Sequence, residues 1–486
     1  MAILLAVAVQ PVRGQEHPPR SGGAPHGVAD TARAMGMDDM MAGPLGIPRT
    51  REGSGTAWLP DSSPMYALHW RAGAWGLMLH GNVFLQYIDE GSERGDEQLG
   101  SVNWIMGMAR RPLAGGDITL RAMLSAEPIT VGECGYPDLL ATGEFCADRG
   151  PLHDRQHPHD LFMELAALYE RALAEDLAFQ VYAAPAGEPA LGPAAYPHRP
   201  SALLNLFAPI NHHWHDATHI SFGVLTAGLF GRRWKVEGSV FNGREPDDDR
   251  YGIDLAPLDS YGGRVWYLPS GQWTLQFSAA NLNEAEQHEP GEPRIDVFRV
   301  TASAAHHRPV GENGWWASAL VWGRNDEDGA PATHGVLLES TLDLDERHVF
   351  FGRAEWVGKT GEELALGVQR LDEEVFTIGK LHLGYLRQFA PLGHLLVGVG
   401  AGLSLCFVGD RPEPFYGTRF PVGFAIFGNL RLARMGMGAA HPAPHAPEQS
   451  APGAEPGGKP ARRHERAQGA SATPAGGVPP GRSSVI

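Results

Sequence analysis

Residues 272–279 read Gln-Trp-Thr-Leu-Gln-Phe-Ser-Ala, so Trp273, Leu275, Phe277 and Ala279 share one face of an extended chain and Gln272, Thr274, Gln276 and Ser278 share the other. A two-residue period of this kind is a β-strand with one apolar and one polar side. Residues 233–242 sharpen the reading. There Trp234, Val236, Gly238 and Val240 oppose Arg233, Lys235, Glu237 and Ser239, and so charged a face suits a wet interior better than the dry core of a sandwich.

The same alternation recurs over 118–125 and 422–432. Extended along the chain, it predicts sixteen strands, near 75–87, 100–110, 117–127, 160–170, 177–184, 219–230, 233–243, 261–268, 272–281, 295–307, 314–324, 332–343, 347–357, 375–389, 393–405 and 421–433. Asp160–Arg171 also fits a helix capped by Asp160 and carrying Leu161, Leu165 and Leu168. Parity favours the strand, because single-chain bacterial barrels have even strand numbers.

The connections alternate in length. Long ones are expected at 88–99, 128–159, 185–218, 244–260, 282–294, 325–331, 358–374 and 406–420, with short ones between them, such as 231–232 and 344–346. That asymmetry, with the absence of any run of eighteen apolar residues, points to an all-β transmembrane antiparallel barrel over 75–435 with short periplasmic turns and long extracellular loops. Hydrocarbon offers edge amides no partner, so such a sheet must close.

Composition agrees: 62 Gly and 12 Trp suit a sheet with aromatic girdles, for which Trp75, Tyr87, Trp104, Tyr169, Trp266, Trp273, Trp315, Trp316, Trp322 and Trp356 are the expected positions. A net charge of −17 argues against a nucleic-acid partner. Residues 1–14, with an apolar run from Ala2 to Val9, read as a secretory signal peptide. Residues 15–74 are expected to be a flexible segment or plug, and 436–486, rich in Pro, Gly and Ala, a disordered tail. Of the three cysteines, Cys134 and Cys146 are the natural disulfide pair. The chain-entropy model values the loop they close at about 3 kcal/mol.

Two long loops concentrate histidine. His153, His157, His159 and Asp160 lie in one, and His212, His213, His215, Asp216 and His219 in the next. Folded inward together, they would offer imidazole and carboxylate to copper or zinc, although polar His in surface loops is the bland alternative. The inward face carries Arg121, Arg233, Lys235, Glu237, Arg264, Arg299, Arg353, Glu355, Lys380, His382 and Arg431. Such walls predict a polar pore for small hydrophilic solutes, with mutual pairing of the charges, closing the lumen, as the alternative. No catalytic motif is present, since Ser221 beside His219 is adjacency rather than a triad, and the expected function is not enzymatic.

In these features residues 75–433 resemble porin-like bacterial outer-membrane barrels, a likeness of architecture that implies outer-membrane lipid and lipopolysaccharide as surroundings and small polar solutes or metal ions as cargo. The flanks, with Met35, Met37, Met40 and Met41 beside Asp38 and Asp39, then Met435, Met437, His441 and His445, resemble the Met- and His-rich segment of copper-resistance outer-membrane barrels. That second likeness implies metal resistance, through a barrel that binds metal without conducting.

Overall fold

The computed structural model describes residues 41–146, 151–287 and 293–434. The signal peptide, most of the Met-rich lead and the C-terminal tail expected from the sequence lie outside them. Sixteen strands occur where alternation places them: β1 Trp75–Gly91, β2 Asn103–Leu113, β3 Gly116–Leu124, β4 Phe162–Ala172, β5 Ala178–Ala186, β6 Val224–Phe230, β7 Trp234–Phe241 and β8 Ser260–Ser270. The second half comprises β9 Trp273–Glu286, β10 Ile295–Val310, β11 Gly314–Glu327, β12 Thr333–Asp343, β13 His348–Lys359, β14 Phe376–Gln388, β15 Leu395–Phe407 and β16 Val422–Leu432.

Each strand pairs antiparallel with the next, and β16 returns to β1 from Asn82↔Arg431 to Gly91↔Val422, so the sheet is a closed barrel without a free edge. The residues around 160–171 form a strand because β4 must pair with both β3 and β5, and this tertiary demand overrides a local pattern that also fits a helix. The first turn of β1 is left uncovered by β16. A short strand, Leu68–Ala72, folds back onto it and fills the gap. Glu97–Gly100 continues the line of β2 along the outer half of β1.

One end of the barrel is trimmed to the connections 114–115, 173–177, 231–233, 271–272, 311–313, 344–347 and 389–394. Between β2 and β3 the two-residue turn Ala114-Gly115 has φ of 48° and 79°, the left-handed pair that matches the twist of a hairpin and that glycine adopts without strain. At the other end stand 92–102, 125–161, 187–223, 242–259, 287–294, 360–375 and 408–421. The connection between β11 and β12, expected to be long, is only 328–332, because β11 runs three residues further outward than its alternation suggests.

The outer face is apolar on strand after strand. Leu85, Val236, Phe277, Leu338, Leu383, Leu403 and Ile426 all point away from the lumen and are exposed. No described helix is long and apolar enough to cross a membrane, and none is required. A closed sheet with an apolar outer band, turns at one end and loops at the other is a transmembrane barrel of the bacterial outer membrane. Both ends of the barrel sequence lie on the turn side, as an even strand number demands.

Not all expected girdle positions face lipid. Trp273 and Trp356 are exposed, but Trp104, Trp266 and Trp315 are buried in the lumen, since strand parity rather than nearness to an end decides which way a ring points.

Candidate functional site

The lumen is occupied by the chain itself. Residues 41–66 enter from the turn end, and Trp58 packs there in a cluster with Phe230, Trp266 and Leu268. Polar contacts hold the segment to the wall: Arg49 to Glu170 at 2.7 Å, Arg110 to Glu52 at 2.8 Å, Arg121 Nη1 to the Gly55 carbonyl at 2.6 Å, and Lys235 to the Thr56 carbonyl. The Lys235 ammonium also sits 4.7 Å from the Trp58 ring centroid.

The connection between β5 and β6, residues 187–223, descends from the opposite end. Its Leu204, Leu206 and Phe207 join Phe84, Phe351 and Phe427 of the wall in one apolar cluster. Beside that cluster lies a chain of buried charges. Arg199 donates to Asp216 at 2.6 Å and to Glu339 at 2.7 Å, and Arg353 reaches the other Glu339 oxygen at 3.3 Å. Burial opposes the charge on Arg199, but Glu339 and Asp216 outweigh it and raise its pKa. Burial alone would also push the Asp216 carboxyl up. Arg199 and His212 reverse that and hold it far below the carboxylate range.

The described parts of the connection between β3 and β4, residues 125–146 and 151–161, cover the neighbouring quadrant. Lys380 donates to its Asp138 at 2.7 Å, and Lys359 to its Leu140 carbonyl at 2.8 Å. Cys134 is bonded to Cys146 there, while Cys406 in β15 is a buried free thiol. Reduction removes this cross-link, so limited proteolysis within 125–161 should accelerate on adding reductant, with the barrel fragments unchanged. Equal cleavage of both forms would show that the bridge does not order the loop.

The predicted ligands fall in several places. His153 is exposed beside Asp154, and His157 is half-buried. His159 bridges Glu127 and the Tyr196 hydroxyl, each at 2.9 Å, and Asp160 faces Arg250 at 3.7 Å. His212 is hydrogen-bonded to Asp216 at 2.9 Å, His215 to the Gly335 carbonyl at 3.2 Å, and His219 to the Asp216 carbonyl at 2.8 Å. The rings of His159, His212 and His219 pack edge to face with centroids 5.1 and 5.4 Å apart. The two loops do meet.

Among the described residues, however, the side chains whose ligand atoms converge within 4.8 Å are His213, Glu245 and Glu286. The two glutamates carried no signal in the sequence, because they stand on a separate loop and on the outer end of β9. On the wall, Arg121, Lys235, Glu237, Arg264, Arg299, Arg353, Glu355, Lys380, His382 and Arg431 are buried in the lumen. Arg233 is exposed at the turn before β7, beyond the rim, where its carbonyl accepts from the Leu268 amide.

Burial in the lumen pushes His198, His212 and His215 down to about 4. His198 lies 4.9 Å from the Trp104 ring and 3.2 Å from the Met123 sulfur. A folded-state pKa below the unfolded 6.5 means that the unfolded loop binds more protons between those values, so stability is complete above 6.5 and falls as pH drops toward about 4. Protease sensitivity of residues 187–223 should therefore rise across that window, and His198→Phe should flatten the rise. An unchanged profile in that variant would remove His198 as the sensor.

No family model matches the chain, and no curated protein matches it in sequence. Similar solved structures include an anion-selective porin from Comamonas acidovorans, with 11% identity, TM-score 0.42, and coverage of 74% of this chain and 99% of that one. The outer-membrane channel DcaP of Acinetobacter baumannii gives 8%, 0.42, and 76% and 100% coverage. Salmonella typhi OmpF, in complex with daunomycin, gives 10%, 0.45, and 75% and 100%. At such scores the description rests on the molecule's own construction: a closed, porin-like barrel of sixteen strands, apolar outside and charged within, of the outer-membrane type.

Proposed function

We propose that the chain is an outer-membrane channel for small hydrophilic solutes whose resting state is closed by residues 41–66 and 187–223. The observation that supports this is the ring of charged wall residues, Arg121, Lys235, Glu237, Arg264, Arg299, Arg353 and Lys380, all buried against the inserted segments. A lumen meant to stay solid is cheaper to fill with apolar side chains, because buried ion pairs return little beyond their desolvation cost. The same charges are favourable once water surrounds them. A wall of this composition therefore suits a barrel that alternates between a packed and a hydrated interior. Single-channel recording in planar bilayers tests the reading, with the full chain compared against one lacking residues 41–66.

A second reading is a non-conducting barrel that binds copper, zinc or another divalent ion in metal resistance. The convergence of His213 with Glu245 and Glu286 favours it. Silence of a folded barrel from which both inserted segments have been released would select this second reading.

A further inference from the structure

We propose that His213, Glu245, Glu286 and Glu327 form a divalent transition-metal site of the Zn2+ class at the outer mouth of the barrel. The inference does not rest on conduction. Four elements supply the side chains: the inserted connection 187–223 brings His213, the loop 242–259 brings Glu245, and the outer ends of β9 and β11 bring Glu286 and Glu327. Strand register explains the meeting of the last two. Glu286 pairs with Ile295 and Glu327 with Val297, so both flank the start of β10 on one rim.

His213 Nδ1 lies 3.2 Å from Glu245 and 3.8 Å from Glu286, and one ligand atom from each of the three falls within 4.8 Å of the others. Glu327, 8% exposed, has an Oε1 that is buried and accepts no hydrogen bond. It lies within electrostatic range of both Glu286 and His213. The guanidinium of Arg299 interacts with Glu245, Glu286 and Glu327. Although Arg250 and Arg294 also line the cavity, Asp247, Asp248, Glu362 and Glu363 join Glu245 and Glu286 there, so acidic groups outnumber basic ones. Buried carboxylates without enough countercharge are costly, and a divalent cation corrects the deficit.

His213, Glu245 and Glu286 line a cavity of about 210 Å3, ample for an ion and its remaining waters. One imidazole with carboxylates suits a first-row divalent ion that keeps an open position, whereas Ca2+ and Mg2+ call for oxygen alone. The sequence expectation of copper or zinc among nine loop residues thus narrows to His213 with three glutamates outside that set.

The test is calorimetric titration of the folded full-length chain in detergent with ZnCl2 and separately with CaCl2. Zn2+ should bind at one tight site per chain and Ca2+ far more weakly. Glu245→Gln with Glu286→Gln should lower Zn2+ affinity by at least about tenfold, and heat-modifiable gel migration should show the barrel intact. If the double variant fails to fold, Glu245→Gln alone, in the outer loop, is held to the same tenfold criterion. Undiminished Zn2+ affinity in the folded variant, or equal affinity for Ca2+, overturns the proposal. A conducting barrel indifferent to Zn2+ would remove this site alone. Zn2+ binding by the full chain, with silence of the folded barrel from which residues 41–66 and 187–223 have both been released, would keep this site and remove the channel.

Discussion

In planar bilayers the chain lacking residues 41–66 is expected to open in discrete current steps where the full chain stays mostly silent. The deletion empties the turn end of the lumen and returns water to Arg110, Arg121, Lys235 and Arg264, which now spend their hydrogen bonds on Glu52, Gly55 and Thr56. A sixteen-stranded barrel is wide enough to carry an aqueous channel once nothing fills it. Residues 187–223 still occupy the outer half, so the steps should be small. Adding Arg199→Ala should enlarge them by releasing that second segment. Silence of the combined variant, with heat-modifiable migration proving a folded barrel, would end the channel reading.

Arg199→Ala by itself should cost about 3–5 kcal/mol of the docking free energy of residues 187–223, because it removes the cation from the buried carboxylate of Asp216 and leaves Glu339 with Arg353 alone. The measurement is the protease protection of that segment, compared with the intact pattern of barrel fragments. Replacing Arg199 by Met together with Asp216→Asn should cost much less than the single change, since Glu339 keeps Arg353 and no carboxylate is then left without a partner. Equal losses in the two variants would show that packing of Leu204, Leu206 and Phe207, and not the ion pairs, seats the segment.

Strand parity explains which parts of this molecule were legible from its residues. In 272–279 the side chains at Trp273, Leu275 and Phe277 face outward and those at Thr274, Gln276 and Ser278 inward, as a two-residue period requires. That information is local, and a closed antiparallel sheet multiplies it by sixteen. The stretch Asp160–Arg171 shows where local information ends: its residues fit a helix, and only pairing with two neighbouring strands makes β4. Arg233 shows the same limit from another side, for its parity is inward but its position is past the rim.

The site was less legible for the same reason. Histidine-rich loops stood out by composition, yet His213 meets Glu245 and Glu286 through an inserted loop, a second loop and a strand end, none of them neighbours in sequence. By itself the sequence determined the period, the parity and hence the wall: which residues face lipid and which face the lumen. Only the tertiary structure decided what the lumen contains, because filling a barrel depends on contacts between segments a hundred or more residues apart, such as Arg199 with Glu339, which no local pattern encodes.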